Sequence, residues 1–224
     1  MPRTSIFVLT AAAAAAACAL SACGPVRMGS AAISGGERIT ATTLSDQVSS
    51  LERAYHAGKG IQLQFPQSEA PQEVLSWLLR FQIRDEVAVR NHVVVTTGES
   101  QRALSLLAKQ TGRTGPAFIQ LAAANGLAPD MLPDLGRYEA IQNDMFTRLN
   151  GGTLPRTQAR FQALSPEFSR RECMAAKSLN IQVNPQFGQF DYASYSVIPA
   201  KSPLSAPTAP APSPSSKPQL TPHC

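Results

Sequence analysis

The sequence is poor in charged, aromatic and metal-ligating residues, and these shortages exclude several classes of function. Charged residues make up 16% and aromatic residues 6% of the 224 residues, and the formal net charge is only +5. No run of lysine or arginine forms the basic stripe of a nucleic-acid-binding protein. The three histidines lie far apart and no C-x-x-C pair occurs, so spacing predicts no zinc site. No serine lies in a Gly-x-Ser-x-Gly turn, so we expect no enzyme activity. We also expect no metal, because that spacing is missing, and no cofactor.

The N-terminal segment is basic at Arg3 and then apolar and alanine-rich over residues 6–19. A run of about 14 residues is shorter than the ~20 that span a bilayer as a helix, and it is typical of a secretory signal peptide. The following Leu20-Ser21-Ala22-Cys23 resembles the lipobox of bacterial lipoproteins. The resemblance implies cleavage before Cys23, diacylation of its thiol and a mature chain anchored at the extracytoplasmic face of the cell membrane. Ordinary secretion with an incidental cysteine, and a retained membrane helix, are the alternatives.

Two other cysteines would remain after removal of residues 1–22. Cys173 and Cys224 could pair in an oxidising compartment. However, Cys224 ends a proline-rich tail and Cys173 falls in a predicted helix. The sequence therefore favours two unpaired thiols.

Apolar residues recur at helical spacing through the middle of the chain and predict an all-helical bundle. The expected helices begin after Thr40, at Gln72, after Thr96, at Pro116, at Pro129 or Pro133, and at Ser165–Pro166. Thr96 and Glu99 have the spacing of a capping box. The helix from Gln72 to about His92 has the widest apolar face, so we expect it to be the most buried.

The C-terminal part of the chain differs in composition from the bundle. From Pro199 onward it is rich in proline, alanine and serine, and such a segment buries too little apolar surface to fold. We expect a signal peptide at 1–22, a tether at 23–30, a helical domain at 31–192 and a disordered tail at 193–224.

Motifs at the two ends of the helical region resemble the SurA N-terminal-like domain of bacterial envelope chaperones. The first is Gly36-Glu37-Arg38-Ile39-Thr40, and the second is Val183-Asn184-Pro185-Gln186-Phe187-Gly188-Gln189-Phe190-Asp191. The resemblance covers roughly residues 31–192 and is to the short lipoprotein form. It implies that the first and last segments of the domain pair as a small β clasp, and that the chain binds unfolded secreted polypeptides.

Some members of that family carry a parvulin prolyl isomerase domain before the final helix. The corresponding position here is residues 150–164, whereas a domain of that kind needs on the order of 100 residues. The sequence therefore predicts a non-catalytic protein, and residual isomerase activity is a weaker third possibility.

A chaperone domain without an isomerase would bind its clients through adaptable apolar side chains. The candidates are Trp77, Phe81, Met131, Met145, Phe146 and Phe161. Side chains of this kind at helical spacing also form cores, and that interpretation is stronger for Phe81 and Met145 than for Phe146 and Phe161. The leading hypothesis is a membrane-anchored holdase. The alternative is a structural or adaptor lipoprotein that binds one defined envelope partner.

Overall fold

The computed structural model of this protein describes residues 29–57, 62–200 and 224. The strands are β1 (Ser30–Ser34), β2 (Glu37–Thr40), β3 (Gln182–Val183), β4 (Gln189–Asp191) and β5 (Ser196–Ile198). The helices are α1 (Ala41–Ala57), α2 (Ala70–Arg90), α3 (Thr97–Gln110), α4 (Pro116–Ala124), α5 (Leu132–Leu149) and α6 (Gln158–Ser178). The predicted helical bundle with short extended ends is confirmed. The predicted signal peptide and Cys23 lie outside the described residues.

The helices that follow a capping threonine, α1 and α3, begin where the sequence predicts. The Thr40 side chain accepts a hydrogen bond from the Thr43 amide at 2.9 Å ahead of α1. Ahead of α3, the Glu99 amide donates to Thr96 Oγ1, and the Thr96 amide donates to Glu99 Oε2 at 2.8 Å. This reciprocal pair satisfies two amides that the first turn of a helix leaves free. The backbone bond to Thr96 also lowers the pKa of Glu99.

Helix α2 is the centre of the bundle, as its wide apolar face predicts. Its side chains at Val74, Leu75, Leu79 and Val87 are fully buried, and it packs against α1, α5, α6 and β5. Helix α3 packs closely along α5. Gly136 permits this approach, because a Cβ atom at that position would lie 2.6 Å from the Ser100 carbonyl oxygen.

The two ends of the domain pair with each other, which confirms the predicted clasp. Strand β1 is the middle strand of an antiparallel sheet of order β2-β1-β3, with Ala32 opposite Val183. The Gly35 amide donates to the Leu179 carbonyl at 2.6 Å. A β1–β2 hairpin has little stability alone, so β3 completes the sheet.

The last helix starts earlier than predicted. Helix α6 begins at Gln158, with the Thr157 hydroxyl accepting from the Arg160 amide at 3.3 Å. Pro166 therefore lies inside the helix, and Ser165 donates back to the Phe161 carbonyl at 2.9 Å instead of acting as the cap. The proline removes one helical hydrogen bond, but the upstream turns bring Phe161 onto the core.

The folded chain also extends beyond residue 192, so the predicted start of the tail at 193 is wrong. Strands β4 and β5 form a hairpin that packs on α2. The Val197 amide donates to the buried Ser76 hydroxyl at 2.8 Å. At the other end, Ser30 belongs to β1 and not to the predicted tether. Residues 201–223 of the predicted tail lie outside the described residues.

Cys173 and Cys224 form a disulfide, so the expectation of two unpaired thiols is wrong. Their Cα atoms are 5.2 Å apart, within the range that disulfides adopt. The half-buried Cys224 packs against the core. Sequence reasoning failed here because it judged Cys224 by the composition of the segment before it.

Candidate functional site

Most of the predicted client-binding side chains lie in the core. Phe81, Met131, Met145 and Phe146 are buried, so in this conformation they are not available to a client. Phe146 is only 5% exposed, because α6 starts at Gln158 and its first turns cover it. The six candidates therefore do not form one groove, and only Trp77 and Phe161 are partly accessible.

Phe146 and Phe161 form an aromatic cluster together with a third ring. The centroid of Phe146 lies 5.1 Å from that of Phe161 in an edge-to-face contact. It lies 5.0 Å from the centroid of Phe168 in a stacked contact. Such contacts stabilise aromatic packing beyond the area they bury. We therefore assign Phe146 to the core that joins α5 to α6.

A cleft of about 270 Å³ lies where the β4–β5 hairpin meets α2, α5 and α6. We call it the aromatic cleft. The residues that line it are Trp77, Arg80, Ile83, Tyr138, Glu172, Ser194 and Tyr195. It contains the one tryptophan of the chain. Of the six predicted binding residues, only Trp77 lines it.

Three contacts fix the orientation of the Trp77 ring. Its Nε1–H donates to the Asn125 carbonyl at 2.9 Å, which ties α2 to the end of α4. Its ring centroid lies 5.8 Å from that of Phe81 and 6.3 Å from that of Tyr138. The contact with Tyr138 is edge-to-face, a geometry that the quadrupoles of the two rings favour. One wall of the cleft is therefore a preorganised aromatic surface.

The β4–β5 hairpin supplies the opposite wall. Tyr195 has a left-handed backbone, with φ at 50°, and its carbonyl accepts a hydrogen bond from Arg80 Nε at 3.0 Å. The Tyr195 hydroxyl lies 3.7 Å from Cys224 Sγ. The hairpin wall thus contacts α2 on one side and the disulfide on the other. Burial raises the pKa of the Tyr195 phenol above its ordinary value.

A buried arginine contacts two of the residues that line the cleft, Glu172 and Tyr138. Arg84 is only 2% exposed, and its Nη2 donates to Glu172 Oε1 at 2.8 Å while its Nη1 donates to Gln142 Oε1 at 2.9 Å. Its guanidinium lies between two rings, 3.8 Å from the centroid of Tyr138 and 4.7 Å from that of Phe168. A buried charge needs such compensation. Burial also raises the pKa of Tyr138, an effect that the nearby Arg84 cation opposes.

Two further cavities lie elsewhere on the surface. One of about 330 Å³ follows the seam between α3 and α5, beside Leu104 and Arg137. Another of about 230 Å³ lies beside the clasp, at Val89 and Leu179. No aromatic side chain in the described part of the chain lines either of these two cavities. Among the described residues, no group of three or more His, Cys, Asp or Glu side chains could hold a metal ion.

The aromatic cleft therefore offers groups for recognition: ring faces, a phenol and a guanidinium. Sequence reasoning found Trp77 and missed the rest. Trp77, Arg80 and Arg84 recur at three- and four-residue steps on α2, so two arginines on the same side of the helix as the tryptophan were an available signal. Tyr195 carried no such signal, because it followed the predicted end of the domain.

No protein-family model, curated protein or solved structure matches this chain. The relation to the SurA N-terminal-like domain therefore stays a prediction from the two end motifs. Within the part of the chain that the structure describes, no helix has both the length and the apolar character needed to cross a membrane.

Proposed function

We propose that this protein is a lipoprotein that binds segments of unfolded secreted polypeptides transiently and catalyses no reaction. The lipid on Cys23 would hold the domain at the extracytoplasmic face of the membrane, where secreted chains emerge. The observation that carries the proposal is the aromatic cleft. Clefts with aromatic walls and a few placed polar groups are the usual form of a binding site, and aromatic contacts dominate the energetics of many protein interfaces.

The absence of a catalytic role is supported by the connection between α5 and α6. Helix α5 ends at Leu149 and α6 begins at Gln158. Only residues 150–157 join them, at the place where some SurA-like proteins carry an isomerase domain. A short, ordered loop of this kind leaves no chain for such a domain, so peptide binding is the function we assign to the helical body.

The distribution of exposed apolar side chains favours a second candidate, an adaptor that binds one defined envelope partner. The large exposed apolar residues of the described chain are Val89, Val94, Leu106, Ile119, Leu154 and Met174. They belong to several different helices and loops, whereas a promiscuous holdase uses an extended apolar surface. A single small cleft suits a narrower choice of ligand.

An aggregation assay separates the two candidates. The chain from residue 23 onward, with Cys23→Ser in place of the lipidated cysteine and with the Cys173–Cys224 disulfide formed, is added at near-stoichiometric amounts to several unrelated unfolding proteins. Light scattering then reports aggregation. We expect slower aggregation of several clients, and we expect Trp77→Ala to weaken the effect. Leu154→Ala, an apolar truncation on an exposed loop, is the matched control and should not weaken it.

Circular dichroism must first show that both variants are folded. A wild-type chain that protects none of the clients would refute the holdase proposal. Cross-linking from the intact lipidated protein in cells would then test the adaptor candidate, for which one stoichiometric partner is the expected result. Equal protection by Trp77→Ala and wild type would show that clients bind outside the aromatic cleft.

A further inference from the structure

The Arg80 guanidinium is held in place but uses only part of its hydrogen-bonding capacity. Its Nε–H donates to the Tyr195 carbonyl, and its Cζ lies 5.1 Å from the centroid of the Trp77 ring. Its two terminal nitrogens donate no hydrogen bond to any described residue, and no carboxylate of the described chain lies within ion-pair distance of it. A stacked, oriented guanidinium with both terminal nitrogens available is the geometry that binds a carboxylate in a bidentate manner.

The described carboxylates around the cleft form no ion pair with this cation. Burial raises the pKa of Glu73 on the same helix, and the Arg80 charge opposes that shift from beyond ion-pair distance. Glu172 also lines the cleft, but Arg84 pairs with it at 2.8 Å. The carboxylate of Asp191 accepts hydrogen bonds from the Ser194 hydroxyl at 2.6 Å and from the Ala193 amide at 3.2 Å. Both acidic groups are thus held by donors of this chain. Among the described residues that line the cleft, Arg80 is thus the charged side chain that belongs to no ion pair, which favours an anionic ligand.

Tyr138 supplies a second polar group, its hydroxyl, on the same wall of the cleft. Among the described residues, its hydroxyl has no hydrogen-bond partner, although its ring is fixed by Arg84, Trp77 and Phe81. The phenol can donate to an anion in the cleft. The partly exposed Trp77 ring lies beside this position and can pack against an apolar group next to the anion.

We propose that the aromatic cleft binds an acidic side chain, glutamate or aspartate, within an extended apolar segment of a client polypeptide. The carboxylate pairs with the terminal nitrogens of Arg80 and accepts from the Tyr138 hydroxyl, while a neighbouring apolar residue packs on Trp77. This inference rests on the proposed function, because a protein that binds internal segments meets many acidic side chains and one C-terminal carboxylate per chain. Selection for an acidic residue would make binding narrower than general apolar adhesion.

The single tryptophan provides the assay. Short peptides that lack tryptophan and are capped at both ends are titrated against the Cys23→Ser chain, and Trp77 fluorescence is recorded. The pair to compare has a central glutamate or glutamine between proline and leucine residues. We expect the glutamate peptide to bind at least ten times more tightly, and we expect Arg80→Gln to remove the difference. Tyr138→Phe should reduce it by severalfold.

Two controls guard against loss of folding and against a non-specific charge effect. Arg90→Gln makes the same charge change on the same helix, ten residues and so about 15 Å away along the axis, and should leave the preference intact. Arg80→Lys keeps the charge and should retain part of the preference for the glutamate peptide. This result would show that the loss in Arg80→Gln comes from the missing charge and not from a displaced hairpin. Thermal unfolding by circular dichroism must give a cooperative transition for each variant.

Several results would overturn the inference. These are equal affinity for the glutamate and glutamine peptides, a preference that survives in Arg80→Gln, or equally tight binding of a glutamine peptide with a free C-terminal carboxylate. If neither peptide binds while aggregation is still suppressed, the inferred preference for an acidic side chain is wrong and the proposed function stands. If the glutamate peptide binds selectively while no client is protected, the proposed function is wrong and the inferred preference stands.

Discussion

The buried Arg84–Glu172 pair provides the sharpest test of how the helices are held together. Arg84 lies on α2 and Glu172 on α6, and their side chains are 2% and 13% exposed. Glu172→Gln keeps the shape of the side chain but removes its charge. Removing one partner of a buried ion pair is expected to lower the free energy of unfolding by about 3 kcal/mol, because the remaining charge is left uncompensated. The Gln142 bond and the two ring contacts keep this loss at the low end of the usual range.

A double-mutant cycle isolates the pairing itself. Arg84→Met alone should lower the free energy of unfolding by about 3–5 kcal/mol, since it leaves the Glu172 carboxylate unpaired. Together, Arg84→Met and Glu172→Gln leave no buried charge, so their combined loss should be smaller than the sum of the single losses by about 2 kcal/mol. Asp144→Asn breaks an exposed pair with Arg148 one helical turn away. It serves as the control, with an expected loss of about 0.3–0.5 kcal/mol.

The assay is urea unfolding at pH 7 with the disulfide kept oxidised. Circular dichroism and Trp77 fluorescence should report one coincident transition, which is the condition for using a two-state free energy. If Glu172→Gln loses no more stability than Asp144→Asn, then the pair does not connect α2 to α6 energetically. If the single losses add without coupling, the energy resides in packing and not in the charges.

Three further predictions concern packing, pH and the disulfide. Gly136→Ala should destabilise the protein by about 1–3 kcal/mol in urea unfolding, because the added Cβ would overlap the α3 backbone. In the control, Gly98→Ala, the added Cβ meets only the end of an arginine side chain, and we expect stabilisation by about 0.5 kcal/mol. Burial raises the pKa of Glu139 above its ordinary value of 4.5. The folded chain therefore binds this proton more tightly than the unfolded chain, and the free energy of unfolding falls as the pH rises through and above 4.5. Glu139→Gln should flatten that part of the pH–stability profile. Replacing both Cys173 and Cys224 with serine should lower the free energy of unfolding by up to about 4 kcal/mol, the chain-entropy value for a loop with a sequence separation of 51, and an unchanged urea midpoint would contradict this.

Local signals predicted the parts of the fold that local interactions determine. Thr40 and Thr96 cap their helices as expected. The sequence predicts too late a start for α6, because Ser165–Pro166 has the local pattern of a helix start. In the structure, the aromatic packing of Phe161 on Phe146 favours a helix that continues through the proline. A contact between different helices thus overrode a local preference.

The aromatic cleft was harder to predict because its walls are distant in sequence. The Arg80–Tyr195 hydrogen bond joins residues 115 positions apart, and the Ser76–Val197 bond joins residues 121 positions apart. No periodicity within one segment encodes such contacts. Composition also led to a wrong boundary, since the hairpin containing Tyr195 lies next to a proline-rich segment. Of the residues that line the cleft, the sequence predicts only Trp77, because an adaptable apolar side chain is a binding candidate whatever its neighbours are.

The clasp also has a consequence for the order in which the chain folds. Strand β1 is synthesised early, but its partner β3 follows about 150 residues later, a separation that makes pairing slow because the loop must close first. Until then one edge of β1 lacks its partner, and an unpaired edge invites pairing with other chains. The clasp can therefore close only after β3, at Gln182–Val183, has been synthesised. During that interval this protein would itself resemble the unfinished chains that we propose it binds.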